Sequence, residues 1–143
     1  MRISTKGRYA VDIMLDMATN STGEYITLKT IAERQDLSWK YLEHIVAVLN
    51  RAGFVKSIRG SQGGYKLSRL PKEYTIGMIL RLMEGSLSPV VCLDDENDCP
   101  KQNHCVTMKA WKKLDDAINE VVESITLADL VEWQHQKDGL SLN

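Results

Sequence analysis

Ser38 to Leu67, SWKYLEHIVAVLNRAGFVKSIRGSQGGYKL, is the stretch that decides the fold. Ser38 is a good N-cap, and Leu42, Ile45, Val46 and Leu49 recur at the helical period. A helix is therefore expected from Trp39 to Ala52, apolar on its inner face and polar outside, with Gly53 stopping it. Phe54 to Arg59, the glycine-rich tip at Gly60, Gly63 and Gly64, and Tyr65-Lys66-Leu67 then read as a β-hairpin whose packing residues are Val55, Ile58, Tyr65 and Leu67. Just upstream, Thr27 caps a short helix through Ile31 and Ala32, broken at Asp36-Leu37. Two short helices joined by a tight turn and followed by a hairpin form a helix-turn-helix with a wing. The glycine run lacks the Lys-Ser/Thr ending and the strand-to-helix crossover of a phosphate-cradling nucleotide loop.

Working outward, Ser4 caps a first helix to about Thr19 with an apolar face of Ala10, Ile13, Met14, Met17 and Ala18. Thr75 caps a fourth helix, Ile76 to about Glu84, ended by Gly85. Ser86 to His104 shows no periodicity and reads as a loop. Beyond it Trp111, Leu114, Ile118, Val121, Val122 and Ile125 mark a helix of about 20 residues, whose apolar stripe reads as a dimer seam, with packing on its own winged helix as the alternative. Thr126 with Asp129 resembles a capping box opening a last helix through Leu130, Val131 and Trp133. The expected fold is mainly α: a winged helix-turn-helix with a two-stranded wing and a long C-terminal dimerisation helix. The expected division is residues 1–85 for DNA binding, 86–105 as a cysteine-bearing loop, and 106–143 for dimerisation and the final helix.

The chain has 143 residues, 43% of them hydrophobic, enough for a real core. It shows no leader-like start and no apolar run of membrane-spanning length, so a cytoplasmic protein without membrane association is expected. The net charge of -1 conceals a division: residues 1–81 hold 13 Lys and Arg against 7 Asp and Glu, a net of +6, whereas residues 82–143 hold 5 against 12, a net of -7. A basic front joined to an acidic back is the footprint of a DNA-binding part with a separate sensing part. No nucleophile-base constellation points to an enzyme.

A recognition helix reads bases with its N-terminal residues, here Ser38, Trp39, Lys40, Tyr41 and Glu43. Lys40 suits phosphate or guanine, Tyr41 suits phosphate or a thymine methyl, and Glu43 suits a cytosine amino group. Glu43 is repelled by the polyanion unless it finds that donor, so it should discriminate rather than add affinity. Arg59, at the root of the wing with Gly60 and Gln62, is placed for the minor groove. Arg2, Lys6 and Arg8 are expected on phosphates, setting register. The partner is thus double-stranded DNA, a palindromic operator if the chain is a homodimer.

The cysteines fall as Cys92-x6-Cys99-x5-Cys105. Structural zinc favours closer pairs, whereas an iron-sulfur cluster, larger than one ion, suits longer loops between thiolates; zinc and thiol redox chemistry remain open. A fourth position is expected to be open or weakly held, with His104, an acid such as Asp98 or an exchangeable small ligand as candidates to complete it, while His44 and His135 belong on solvated helix faces.

With the cysteines placed, the chain resembles the IscR-like family of winged-helix regulators over nearly its whole length. The family includes the iron-sulfur assembly regulator IscR, the nitric-oxide sensor NsrR and the cysteine-metabolism repressor CymR. The likeness rests on the opening MRISTKGRYA, on Ser38 to Glu43, on Arg59-Gly60 with Gly63-Gly64-Tyr65, on the three cysteines and on Ile125-Thr126-Leu127. It implies a homodimer with a long dimerisation helix, and a 2Fe-2S or 4Fe-4S cluster near the interface that controls promoter recognition. It also implies a role for Glu43 in site selectivity. The resemblance fails at two positions. The histidine that supplies the fourth ligand in IscR-like members falls on Met108, and the first-helix aspartate that does so in one NsrR type falls on Arg8. The reading is a repressor or dual regulator responding to iron-sulfur status, oxygen or nitric oxide. Its alternative is a cluster-free repressor of cysteine metabolism tuned by thiol oxidation or a protein partner, as CymR-like members are, although those lack the three-cysteine pattern.

Overall fold

In a computed structural model of the chain, residues 2–61, 63–94 and 106–141 are described. Helix α1 spans Thr5–Thr19, α2 Leu28–Gln35 and α3 Trp39–Arg51; strands β1 Val55–Ile58 and β2 Gly64–Leu67 follow, then α4 Ile76–Glu84, α5 Met108–Ser124 and α6 Leu127–Ser141. This is the mainly helical winged helix-turn-helix expected.

All the helices but α5 begin where the sequence supplies a side-chain acceptor for an orphan N–H. Ser4 Oγ accepts from Gly7 N at 3.0 Å, Thr27 Oγ1 from Thr30 N at 3.2 Å, Ser38 Oγ from Tyr41 N at 3.3 Å and Thr75 Oγ1 from Met78 N at 3.1 Å. Thr126 and Asp129 close the capping box reciprocally, at 3.1 and 2.9 Å. Between α2 and α3, Asp36 turns the chain in the left-handed region at φ 52°, which a short polar side chain tolerates.

Helix α1 is the centre of the core. Its Ala10, Ile13, Met14 and Met17 are buried with Ile31 of α2, Leu42, Ile45, Val46 and Leu49 of α3, Ile79 of α4, and Val55, Tyr74 and Leu127. Burying each of the Ile, Leu, Val and Met side chains among them stabilises the fold by roughly 1.5–3 kcal/mol. Through Leu127, α6 shares this core and packs along α1.

Three details depart from the sequence reading. Strands β1 and β2 pair antiparallel with Val55 opposite Leu67 and Ile58 opposite Gly64, so Ile58 lies on the face away from Val55 and is 51% exposed rather than packed. Tyr65 also exchanges two 2.8 Å hydrogen bonds with Ile26, adding a one-residue third strand to the wing. Gly64 permits that approach, because a Cβ there would lie 2.6 Å from the Ile26 carbonyl carbon. Finally, α5 has 17 residues, about 26 Å at 1.5 Å per residue. Ile125 falls outside it, accepting a 2.9 Å hydrogen bond from Ile76 N.

Candidate nucleic-acid interface

Helix α3 turns its apolar stripe into the core, which leaves Ser38, Trp39, Lys40, Glu43 and His44 exposed along its N-terminal turns. Tyr41 is different. It is half-buried, its ring edge-on to Tyr9 of α1 with centroids 5.5 Å apart, so α1 fixes its direction. Arg59 and Gly60 are exposed where β1 ends, and Arg2 and Arg8 are exposed at the start of α1, with Lys6 half-buried beside them. Gln62 lies outside the described residues.

Three polar linkages that the sequence reading did not single out hold these surfaces in place. The buried Asp16 carboxylate of α1 accepts from Arg34 Nε at 3.0 Å, from Arg34 Nη2 at 2.6 Å and from Gln35 Nε2 at 3.0 Å, binding α1 to the end of α2. That hydrogen-bonded carboxylate holds the Arg34 guanidinium above its ordinary range. The signal was available: an acid sits beside Met17 on the apolar face of α1, where a charge needs a partner.

Tyr74 is the second. Fully buried, it donates its hydroxyl to Phe54 O at 2.6 Å and accepts from Arg69 N at 3.1 Å, pinning both roots of the wing. Burial pushes its phenol up from the usual value. The third is Glu84 at the end of α4, whose Oε1 accepts from Ser4 N at 2.8 Å and from Ser4 Oγ at 2.6 Å. It crosses directly over Gly7, where an added Cβ would overlap that carboxylate.

The cysteine segment begins just past Glu84. Cys92 is half-buried in a 3-10 turn, Val91–Leu93, behind a Ser86 hydroxyl bonded to Asp94. Cys99, His104 and Cys105 lie outside the described residues. Among the described residues no three His, Cys, Asp or Glu side chains converge as a metal site. The donor set, three thiols in one segment, fits an iron-sulfur cluster in kind. Met108, half-buried at the start of α5, offers only a weak thioether.

The stripe on α5 divides. Val122 packs against α4 at Gly77 and Ile125 reaches Ile76, while Arg81 bonds Glu123 and donates to Asn119 at 2.7 Å. Trp111, Leu114 and Val121 face away from the chain's own core, at 39%, 48% and 54% exposure. His44 and His135 are exposed. No helix among the described residues is long and apolar enough to cross a membrane.

Comparison with known proteins gives a consistent picture. A family profile described as "Rrf2: Iron-dependent Transcriptional regulator" matches residues 3–133. The HTH-type transcriptional regulator CymR of Bacillus subtilis is 43% identical over 93% of this chain and 91% of its own length. The solved structure of B. subtilis CymR, "the Global Cysteine Regulator", superposes with TM-score 0.76 at 42% identity, covering 93% of this chain and 98% of that one. The structure of T. potens IscR superposes with TM-score 0.74 at 44% identity, covering 92% and 87% respectively.

Proposed function

Because the chain belongs to the Rrf2 family of transcriptional regulators, a family of DNA-binding proteins rather than enzymes, we propose that it acts in the cytoplasm as a homodimer on a palindromic operator. In this reading a cysteine-held iron-sulfur cluster sets its DNA affinity. The observation that carries the DNA-binding half is the exposure of the first turns of α3 and of Arg59 of the wing, with the apolar stripe of α3 locked in the core. Lys40, Trp39, Ser38 and Glu43 face the major groove, Arg59 with Gly60 and Gln62 the minor groove, and Arg2 and Lys6 the phosphates. Residues 1–85 carry this surface, 86–105 the sensing loop and 106–143 the dimer seam. The exposed Trp111, Leu114 and Val121 supply the apolar anchors such a seam requires.

Cys92, Cys99 and Cys105 would hold the cluster, which as a two- or four-iron centre supplies redox and nitrosation chemistry, with His104 as the nearest imidazole in sequence. The profile's own description, an iron-dependent regulator, supports this half. A second reading, a cluster-free repressor of sulfur metabolism governed by thiol state or a protein partner, is favoured by the likeness to a cysteine regulator and by Met108.

One experiment separates them: an ultraviolet-visible spectrum of protein purified without oxygen, with iron and acid-labile sulfide assayed on the same sample. Brown protein with near-equal iron and sulfide is expected. Colourless protein lacking both, even after reconstitution, would leave thiol or partner control of the same DNA-binding fold.

A further inference from the structure

Lys56 and Lys66 are register partners on β1 and β2, so their side chains leave the same face of the wing directly opposite one another. Like charges so placed destabilise a strand pair, and neither lysine is among the ion pairs of the described residues, which are Asp16 with Arg34 and Arg81 with Glu123. Arg69 joins them in the wall of a 410 Å³ cleft closed by Ser21, Ser68 and Glu73. That volume lies within the roughly 300–1,000 Å³ of ordinary small-molecule sites.

Two of the three cations are held in position. Lys66 Nζ donates to Gly23 O at 3.2 Å and lies 4.6 Å from the Tyr25 ring centroid, which leaves two of its three protons for a ligand. The Arg69 guanidinium lies 5.8 Å from the rings of both Phe54 and Tyr74. The one acid in the wall, Glu73, already gives an oxygen to Leu70 N–H at 2.7 Å. Three cations thus face one engaged carboxylate, in a cleft whose preorganisation lowers the cost of capturing an anion.

We propose that this cleft binds a small multivalent oxyanion, a phosphoryl group or its equivalent, carried on a free small molecule. The pair Lys56 and Lys66 stands one step from the open end of the hairpin, three residues before Arg59, about 10 Å back from where the glycine tip begins at 3.3 Å per residue. The α1–α2 connection, the hairpin and the 68–73 turn wall the cleft on three sides. The recess lies behind the wing tip that the proposed function places on DNA, and its three walls suit a compact group. Its occupant neutralises the lysine pair and ties the wing to the α1–α2 connection.

The test is calorimetric titration of the DNA-free, full-length protein with inorganic pyrophosphate, repeated on Lys56→Gln and Lys66→Gln. The expected result is saturable uptake of one equivalent, about tenfold weaker in each variant, with pyrophosphate raising the unfolding temperature of the parent protein more than that of Lys56→Gln. Lys56 is exposed, so that variant folds even if Lys66→Gln does not. Absence of saturable uptake by the parent, or equal uptake by parent and Lys56→Gln, overturns the proposal. If instead pyrophosphate is not bound and Lys56→Gln lowers the salt slope of DNA binding by about one, the proposal is overturned and the lysine belongs to duplex contact.

Discussion

Replacing Asp16 by alanine tests whether the junction between α1 and α2 depends on one buried carboxylate. Its side chain is 2% exposed and receives hydrogen bonds from both Arg34 and Gln35. Removing one partner of a buried ion pair costs about 3–5 kcal/mol because the other charge is stranded. Arg34 keeps 36% of its side chain exposed, so its guanidinium regains some water and the loss falls at the low end. The expected destabilisation is about 3 kcal/mol. At about 2–4 °C per kcal/mol for a chain near this size, the unfolding temperature drops by about 6–12 °C.

Urea unfolding at fixed protein concentration measures this, since self-association would otherwise add its own concentration dependence. The midpoint should fall with the slope unchanged. Asp16→Asn keeps the volume and one acceptor but loses the charge, and should lie between Asp16→Ala and the parent. A double-mutant cycle with Arg34→Ala isolates the pair, and a coupling of at least about 1 kcal/mol is expected for groups in direct contact. If Asp16→Ala and Asp16→Asn both fall within about 0.5 kcal/mol of the parent, the range of ordinary surface changes, the reasoning is refuted.

Tyr74→Phe should cost about 1–3 kcal/mol in the same assay, because Phe54 O and Arg69 N–H lose their buried partner; an unchanged midpoint would mean that water replaces the hydroxyl. Arg59→Ala should weaken operator binding by about 1–3 kcal/mol in a fluorescence-anisotropy titration, and unchanged affinity would remove Arg59 from the interface. Glu43→Ala should relax discrimination at one base pair per half-site while total affinity stays similar or rises; a uniform loss across sequences contradicts the proposed role. Val121→Glu should convert the proposed dimer to monomer in sedimentation velocity without disturbing the winged helix, since the side chain is outside the chain's own core. Persistence of the dimer would move the seam elsewhere.

What was legible in the sequence is what is local. Among the described residues, five of the six helix starts were readable because Ser4, Thr27, Ser38, Thr75 and Thr126 cap within three residues of themselves, whereas α5 begins without a side-chain cap. The core face of α1 followed from period alone. Val55 and Ile58 lie three apart, so one regular strand cannot pack both, and the pairing with β2 is what puts Val55 inward and Ile58 outward. The bridge from Ile26 to Tyr65 involves one residue and has no periodicity to detect. On α5, apolar positions at spacings of three and four cover two adjacent faces, and separating the inward Val122 from the outward Val121 requires knowing where α4 lies. The Asp16, Tyr74 and Glu84 linkages join residues 18, 20 and 80 positions apart, beyond any local pattern.

Helix α4 is short, yet it is bonded at both of the surfaces that regulation has to connect. Its end residue Glu84 holds the N-cap of α1, beside Arg2 and Lys6, and one turn earlier Arg81 holds Glu123 and Asn119 of α5. The cysteine-bearing segment leaves directly from that end, and Ser88 reaches back to Asp115 of α5 at 3.4 Å. Residues 85–90, which form no regular element, join that end to the segment, so within the proposed function a displacement of the segment would reach the Glu84 carboxylate through them. In the proposed function, a change in the segment would therefore act at two places bonded to α4 or to the segment itself, the α1 terminus and the α5 helix, which are the proposed phosphate contacts and the proposed dimer seam.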